Sequence, residues 1–168
     1  VATGMKNPTC GDFAVMLNSI YAAQHPQRFA YAGAEAQTSG NPLAHAILRG
    51  GVNKRGVNQP NYHYEDIMRL MGMYDKMGLQ NPAVIVDSNH SNSDKQYHEQ
   101  IRIVKEVMHN RQLSSDIRKL VKGVMIESYL VPGRQDISEH TYGKSITDPC
   151  LGWEDSERLI YEIADMAK

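Results

Sequence analysis

Five side chains of types that do chemistry lie far apart in this sequence: Lys6, Arg49, His90, Glu127 and Asp148. An imidazole with two carboxylates suits a divalent ion such as manganese, iron or zinc better than calcium, so His90, Glu127 and Asp148 are candidate metal ligands. Spacing alone does not single them out, because 37 positions separate His90 from Glu127 and no short metal motif is present. Each also has an ordinary reading: His90 as a loop histidine, Glu127 as the partner of a neighbouring base, Asp148 as a turn cap before Pro149. Lys6 and Arg49 are candidate anion-binding residues, the guanidinium offering a two-pronged fork to a phosphate or carboxylate. Strand-terminal cations are equally often just solvated. Gly50-Gly51 lets a backbone approach a ligand closely, or makes a plain turn. The other histidines share no spacing and receive no role, and Cys10 and Cys150 read as inert thiols.

Positioning such residues requires elements, and apolar periodicity supplies four strand-then-helix units. The first is Val1 to Lys6, then a helix with Phe13, Met16, Leu17, Ile20 and Tyr21 that ends near His25-Pro26, because the residue before proline leaves the helical region. Phe29 to Ala32 and Ala36 to Ser39 are expected to pair as a hairpin. A strand over His45 to Arg49 follows, then a loop from Gly51 to Asn61 and a helix with Ile67, Leu70, Met71 and Tyr74 inward, stopping at Gly78. Ala83 to Val86 is a continuous apolar run of the kind buried on both faces. Its loop, Asp87 to Ser93, leads to a helix capped by Asp94 with Tyr97, Ile101, Val104 and Met108 as its stripe. The fourth strand is Gly123 to Glu127, followed by a long loop from Tyr129 to Gly152 and a helix with Leu159, Ile160, Ile163 and Met166 inward.

The 168 residues, 22% charged with net charge −1, make one domain with no internal boundary. The balanced charge argues against nucleic acid, and no apolar stretch reaches the roughly 18 residues of a membrane span. Two cysteines exclude a disulfide framework and point to a reducing, cytoplasmic setting. The sequence opens on Val1, inside a strand, and reads as a piece of something longer. Four strand–helix units build either a small open sheet or half of an α/β (β/α)8 TIM barrel, whose complete form needs about 250 residues. Candidate residues at the carboxyl end of every strand favour the half barrel, since an open sheet gathers ligands at one switch point.

Several stretches carry a resemblance: KNPT (Lys6 to Thr9), TSGNPLAHAILRGG (Thr38 to Gly51), PNYH (Pro60 to His63), VDSNHSNSDKQ (Val86 to Gln96), GVMIESYLVPGRQ (Gly123 to Gln135) and YGKSITDPCLGWEDSERL (Tyr142 to Leu159). In order and across the whole chain they resemble the carboxyl-terminal half of the microbial type I 3-deoxy-D-arabino-heptulosonate-7-phosphate (DAHP) synthases. The resemblance implies the first step of the shikimate pathway, in which phosphoenolpyruvate condenses with erythrose 4-phosphate and phosphate is released. It implies a divalent metal, manganese or iron, on His90, Glu127 and Asp148; the family's fourth ligand is a cysteine on a first barrel strand that is not in this sequence. It further implies that Lys6 and Arg49 hold the anionic ends of phosphoenolpyruvate, that His90 belongs to the catalytic set, and that Asp148 faces the sugar hydroxyls.

Departures from the family pattern are Pro8 and Cys10, where glycine and aspartate are common, and a short Phe29 to Ser39 segment, so feedback control by phenylalanine or tyrosine is not carried over. A half barrel leaves sheet edges and core uncovered, so pairing with another copy or with the missing amino-terminal half is expected. Two other readings remain open: a non-catalytic metal- or phosphate-binding half-barrel module that works as an assembly partner, and an octulosonate-8-phosphate synthase, which GKSITDPC and ILRGG fit less well.

Overall fold

A computed structural model describes all 168 residues. In chain order the elements are β1 (Thr3–Lys6), α1 (Phe13–Gln24), β2 (Arg28–Tyr31), β3 (Ala34–Gln37), β4 (Ala44–Leu48), β5 (Gly51–Val52), β6 (Asn58–Gln59), α2 (Tyr64–Met77), β7 (Val84–Asp87), α3 (Glu99–Leu113), α4 (Ser115–Leu120), β8 (Val121–Met125), β9 (Val131–Arg134), β10 (Lys144–Ser145) and α5 (Trp153–Met166). Four of the strands form one parallel sheet in the order β1-β4-β7-β8. Spatial order follows chain order without a reversal, so all four carboxyl ends share one rim. The fold is α/β, and the sequence pattern had placed each of these strands.

Register decides which side chains face the helices. Gly4 pairs with His45, Lys6 with Ile47, Ile47 with Ile85, and Asp87 with Met125, so these residues share one face of the sheet. The opposite face, carrying Ala44, Ala46, Leu48, Val84 and Val86, packs with Leu17, Ile20, Ile67, Leu70 and Ile103 into a core cluster of 19 buried residues. The first face lacks a helical cover: Ile85 is half-buried, so the apolar run expected to be buried on both faces is closed on one only. The molecule exposes 9945 Å². A compact monomer of 18.9 kDa exposes about 8,300 Å². The excess, about 1,600 Å², is roughly twice the 800 Å² that one partner contributes to a standard interface.

Helix boundaries follow local chemistry. Asp12 caps α1 by accepting from Ala14 N (2.8 Å), and His25 before Pro26 ends it. Glu65 and Asp66 lie in the first turn of α2, and Gly78 closes it in the left-handed region at φ 62°. Gly72, inside α2 and exposed, has no atom near the place its Cβ would occupy. Gly72→Ala is therefore expected to raise stability by about 0.5–1 kcal/mol, read as an upward shift in thermal melting.

Several expectations are corrected. α3 begins at Glu99, not after Asp94: Asp94 and Lys95 both take positive φ (52° and 60°), which bends the chain away from a helix before it can start. Val104 and Met108 are buried as expected, but Ile103 and Val107 replace the half-buried Tyr97 and Ile101 at the centre of the stripe. Tyr21 and Ile160 are exposed. Ile160 follows the buried Leu159, and neighbours about 100° apart on a helix cannot both face one core. The loop from Gly51 to Asn61 contains the antiparallel pair β5–β6, and the loop from Tyr129 to Gly152 contains the parallel pair β9–β10. The expected hairpin forms as β2–β3, two residues earlier at its second strand. The fourth sheet strand is Val121–Met125, preceded by α4, which leaves Glu127 two residues past its end.

Candidate metal centre

Lys6 ends β1, Arg49 follows β4, Asp87 ends β7, and Glu127 follows β8, so the parallel sheet delivers all four to one rim. Beyond Asp87 the chain makes a short 3-10 turn over His90–Asn92, with His90 itself at φ 53°. That turn swings the imidazole back over the rim. His90 Nε2 lies 3.2 Å from Glu127 Oε1 and 3.5 Å from Asp148 Oδ2. Asp148 arrives from the loop after β10, so the three candidate ligands converge although the chain between them is long.

Those separations are informative. Ligand atoms about 2.1 Å from a shared ion lie about 3.0 Å apart in octahedral geometry and about 3.4 Å apart in tetrahedral geometry. The Nε2–Glu127 edge of 3.2 Å falls in that interval and the Nε2–Asp148 edge of 3.5 Å lies just above it, and the donor set is one imidazole with two hard oxygens. The residues fit a divalent ion of the manganese, iron or zinc kind. The group whose ligand atoms all lie within 4.8 Å of one another is Asp87, His90 and Glu127, whereas Asp148 approaches His90 from outside that group. The two sides of the imidazole differ, however. Nδ1 is buried and 3.0 Å from Asp87 Oδ2, too far off the N–H direction for a hydrogen bond but close enough for an electrostatic hold. Asp87 on Nδ1 favours the tautomer that leaves Nε2 free for a cation.

Asp87 is the functional residue that reading the sequence missed. It is fully buried and also receives Lys6 Nζ at 2.7 Å through the same Oδ2. Burial pulls its carboxyl upward, but the adjacent His90 and Lys6 outweigh that and hold its pKa below the ordinary value. The signal available was an acid closing an otherwise apolar strand, Val84-Ile85-Val86-Asp87. Asp87 joins the cationic side of the site to the imidazole side.

Glu127 is fixed from both ends. Its Oε2 accepts from Asn89 Nδ2 (2.7 Å), while its peptide is clamped by the buried Gln100 of α3, which accepts from Glu127 N (2.8 Å) and donates to Glu127 O (3.1 Å). Asp148 has a looser partner, Lys95 Nζ at 3.7 Å from Oδ1. Arg49 is placed through its backbone, whose N–H donates to Asn7 Oδ1 (2.9 Å), and its guanidinium has no hydrogen-bond or ion-pair partner. It is half-buried at the same rim and available to an anion. Cys150 is buried close to the site; burial pushes its thiol up, and the Glu127 and Asp148 carboxylates add to the effect despite a bond to Ser145. Cys10 is exposed on the loop after β1, and neither cysteine donates to the cluster.

The chain is similar to known proteins along nearly its whole length. Residues 2–160 match the model of the DAHP synthetase I family. The chain is 42% identical over 172 residues to a phospho-2-dehydro-3-deoxyheptonate aldolase of Haemophilus influenzae, covering 98% of this chain and 45% of that protein. It is 36% identical over 169 residues to the Trp-sensitive phospho-2-dehydro-3-deoxyheptonate aldolase of Escherichia coli K12, covering 96% of this chain and 46% of that protein. The solved phospho-2-dehydro-3-deoxyheptonate aldolase of Francisella tularensis superposes with a TM-score of 0.85 at 32% identity, covering 97% of this chain and 47% of that one. The chain thus spans about half the length of the relatives it matches. No helix is long and apolar enough to cross a membrane. With its match to the family model running almost from end to end, the chain belongs to the DAHP synthetase I family.

Proposed function

We propose that this chain supplies the carboxyl-terminal half barrel of a metal-dependent 3-deoxy-7-phosphoheptulonate synthase, the enzyme that joins phosphoenolpyruvate to erythrose 4-phosphate and releases phosphate. The observation that carries the reading is the convergence of His90 Nε2 with Glu127 and Asp148 at ligand-to-ligand distances, beside Lys6 and Arg49 on the same rim. His90, Glu127 and Asp148 would hold the ion, which when bound supplies Lewis-acid polarisation of the aldehyde. Lys6 and Arg49 bind the carboxylate and phosphate of phosphoenolpyruvate and offset their charge, Arg49 in a bidentate manner. Positioned this way, C3 of phosphoenolpyruvate forms the new carbon–carbon bond to the aldehyde carbon. Water then adds at C2, and the C2–oxygen bond to phosphate breaks. Asp87 keeps the imidazole in register throughout and Lys6 beside it, and Asp148 also faces the sugar hydroxyls.

The uncovered sheet face, the free edges of β1 and β8 and the excess exposed area support a partner that completes the barrel, either a second copy or an amino-terminal half. The open face also favours a second reading, a non-catalytic module that binds metal and phosphate within an assembly. A coupled phosphate-release assay with both substrates and manganese, run on the complete enzyme and on these 168 residues with their sedimentation measured alongside, tests both. Turnover by the complete enzyme, with self-association but no phosphate release for the 168 residues, is expected. Phosphoenolpyruvate and manganese binding without turnover in the complete enzyme would instead establish the module. A well-behaved monomer with a cooperative melt would refute the open-face argument.

A further inference from the structure

Three asparagines with no part in the chemistry above are almost fully buried at the strand ends: Asn7 at 1%, Asn61 at 5% and Asn92 at 5% exposure. Asn7 Nδ2 donates to Gly50 O (2.7 Å) and Pro8 O (2.9 Å), and its Oδ1 accepts from Arg49 N (2.9 Å) and Asn61 Nδ2 (3.1 Å). Asn61 Oδ1 accepts from Gly50 N (2.8 Å), and its own N–H donates to Asn92 Oδ1 (2.9 Å). Asn92 Nδ2 then donates to Leu48 O (3.2 Å) and Asp87 O (2.7 Å). The relay starts beside Lys6, passes the Arg49–Gly50 peptide, reaches the turn that carries His90 and returns to the peptide of Asp87. The Asn7–Gly50, Asn7–Asn61, Asn61–Asn92 and Asn92–Leu48 links join segments that end or follow different strands of the parallel sheet.

Amides suit this task. The rim already holds the carboxylates of Asp87, Glu127 and Asp148, so further charge would disturb it, whereas an amide donates and accepts while remaining neutral. Satisfied on nearly all sides and dry, such a network is rigid, and loss of one member leaves its partners unpaired. Asn61 is the middle member and stands on the segment between β6 and α2, which contributes no residue to the metal cluster.

We propose that the Asn7–Asn61–Asn92 relay sets the separation between the anion-binding cations and the metal-binding imidazole, and that Asn61 is a positioning residue for the reaction. The proposal rests on the functional reading above. Asn61→Ala strips one partner each from Gly50 N and Asn7 Oδ1 and so loosens the Arg49–Gly50 peptide, which packs against the His90 turn, while the backbone N–H of residue 61 can still donate to Asn92 Oδ1. In the complete enzyme, the KM for phosphoenolpyruvate is expected to rise roughly tenfold and kcat to fall by a similar factor, since a 1 Å misplacement costs up to about 100-fold. Manganese affinity, measured by calorimetric titration without substrate, is expected to weaken about tenfold as the His90 turn shifts.

Asn61→Asp keeps the volume and the acceptor for Gly50 N but sets a carboxylate oxygen against Asn7 Oδ1. It is expected to show the same pattern and decides the matter if the alanine variant does not fold. A folded variant that melts earlier while its KM and manganese affinity stay within about twofold of wild type would reduce the relay to scaffolding and overturn the proposal. If wild type releases no phosphate, the functional reading fails, and the manganese affinities of the variants alone decide whether the relay positions the imidazole.

Discussion

Glu127→Gln in the complete enzyme is expected to weaken manganese binding by at least about 100-fold while leaving the melting temperature nearly unchanged. The substitution is almost isosteric. An amide oxygen can still accept from Asn89 Nδ2, now 2.7 Å from Oε2, and the peptide clamp from Gln100 does not involve the side chain of Glu127. What disappears is a negative charge 3.2 Å from His90 Nε2, at the position from which a second ligand atom would meet the ion. A neutral oxygen is a far poorer donor to a hard cation, so binding and turnover should fall together. Asn89→Ala supplies the comparison, because it removes the bond that aims the carboxylate and leaves the charge in place. Its loss should be smaller, about 10-fold to 100-fold at most. Calorimetric titration with manganese reads both, and an unchanged affinity for Glu127→Gln would strike that residue from the ligand set.

The parts of this site that the sequence disclosed are those written locally. Val84-Ile85-Val86 is a strand on apolar content alone, Gly78 ends a helix by its own conformational freedom, and His25 ends another because Pro26 follows it. Lys6, Arg49, His90, Glu127 and Asp148 were legible as candidates because each stands at a strand end or in the loop beyond, and contiguous motifs carried the family likeness. Asp87 was not, since its meaning depends on Lys6, 81 residues away, and on a register that places both on one face. Asn61 looks like any polar loop residue. It is buried only because Asn7 and Asn92 come to meet it from other strands. The misplaced start of α3 has a similar origin. Asp94 has the side chain of a helix cap, but its backbone is left-handed, and its carboxylate accepts from Asn58 of β6 at 2.5 Å instead. Tertiary contacts, not local preference, decided these positions.

Gly50→Ala is expected to lower stability by roughly 3 kcal/mol, of which about 1 kcal/mol is backbone strain and the remainder overlap. At φ 74° the residue sits where L side chains are strained, and a Cβ there would lie 2.6 Å from Asn92 N and 2.7 Å from Ser91 C. Both contacts are backbone, so no side chain can rotate away. Gly51 is as tightly held, its Cβ position 2.6 Å from Gly11 Cα. The two glycines thus press the Arg49 loop between the loop after Lys6 and the turn bearing His90. For a chain of this length the loss corresponds to a melting temperature lower by roughly 6–12 °C. Gly56→Ala isolates the strain, because Gly56 also has positive φ (77°) but no atom within 4 Å of its Cβ position; it should cost only about 1 kcal/mol. If the two variants melt together, the turn yields to the methyl without cost and the close approach has no structural force. If Gly50→Ala melts well below Gly56→Ala and also binds manganese more weakly, the same contact that orders the rim sets the placement of His90. Fold stability and site geometry would then rest on one pair of backbones that only glycine permits to touch.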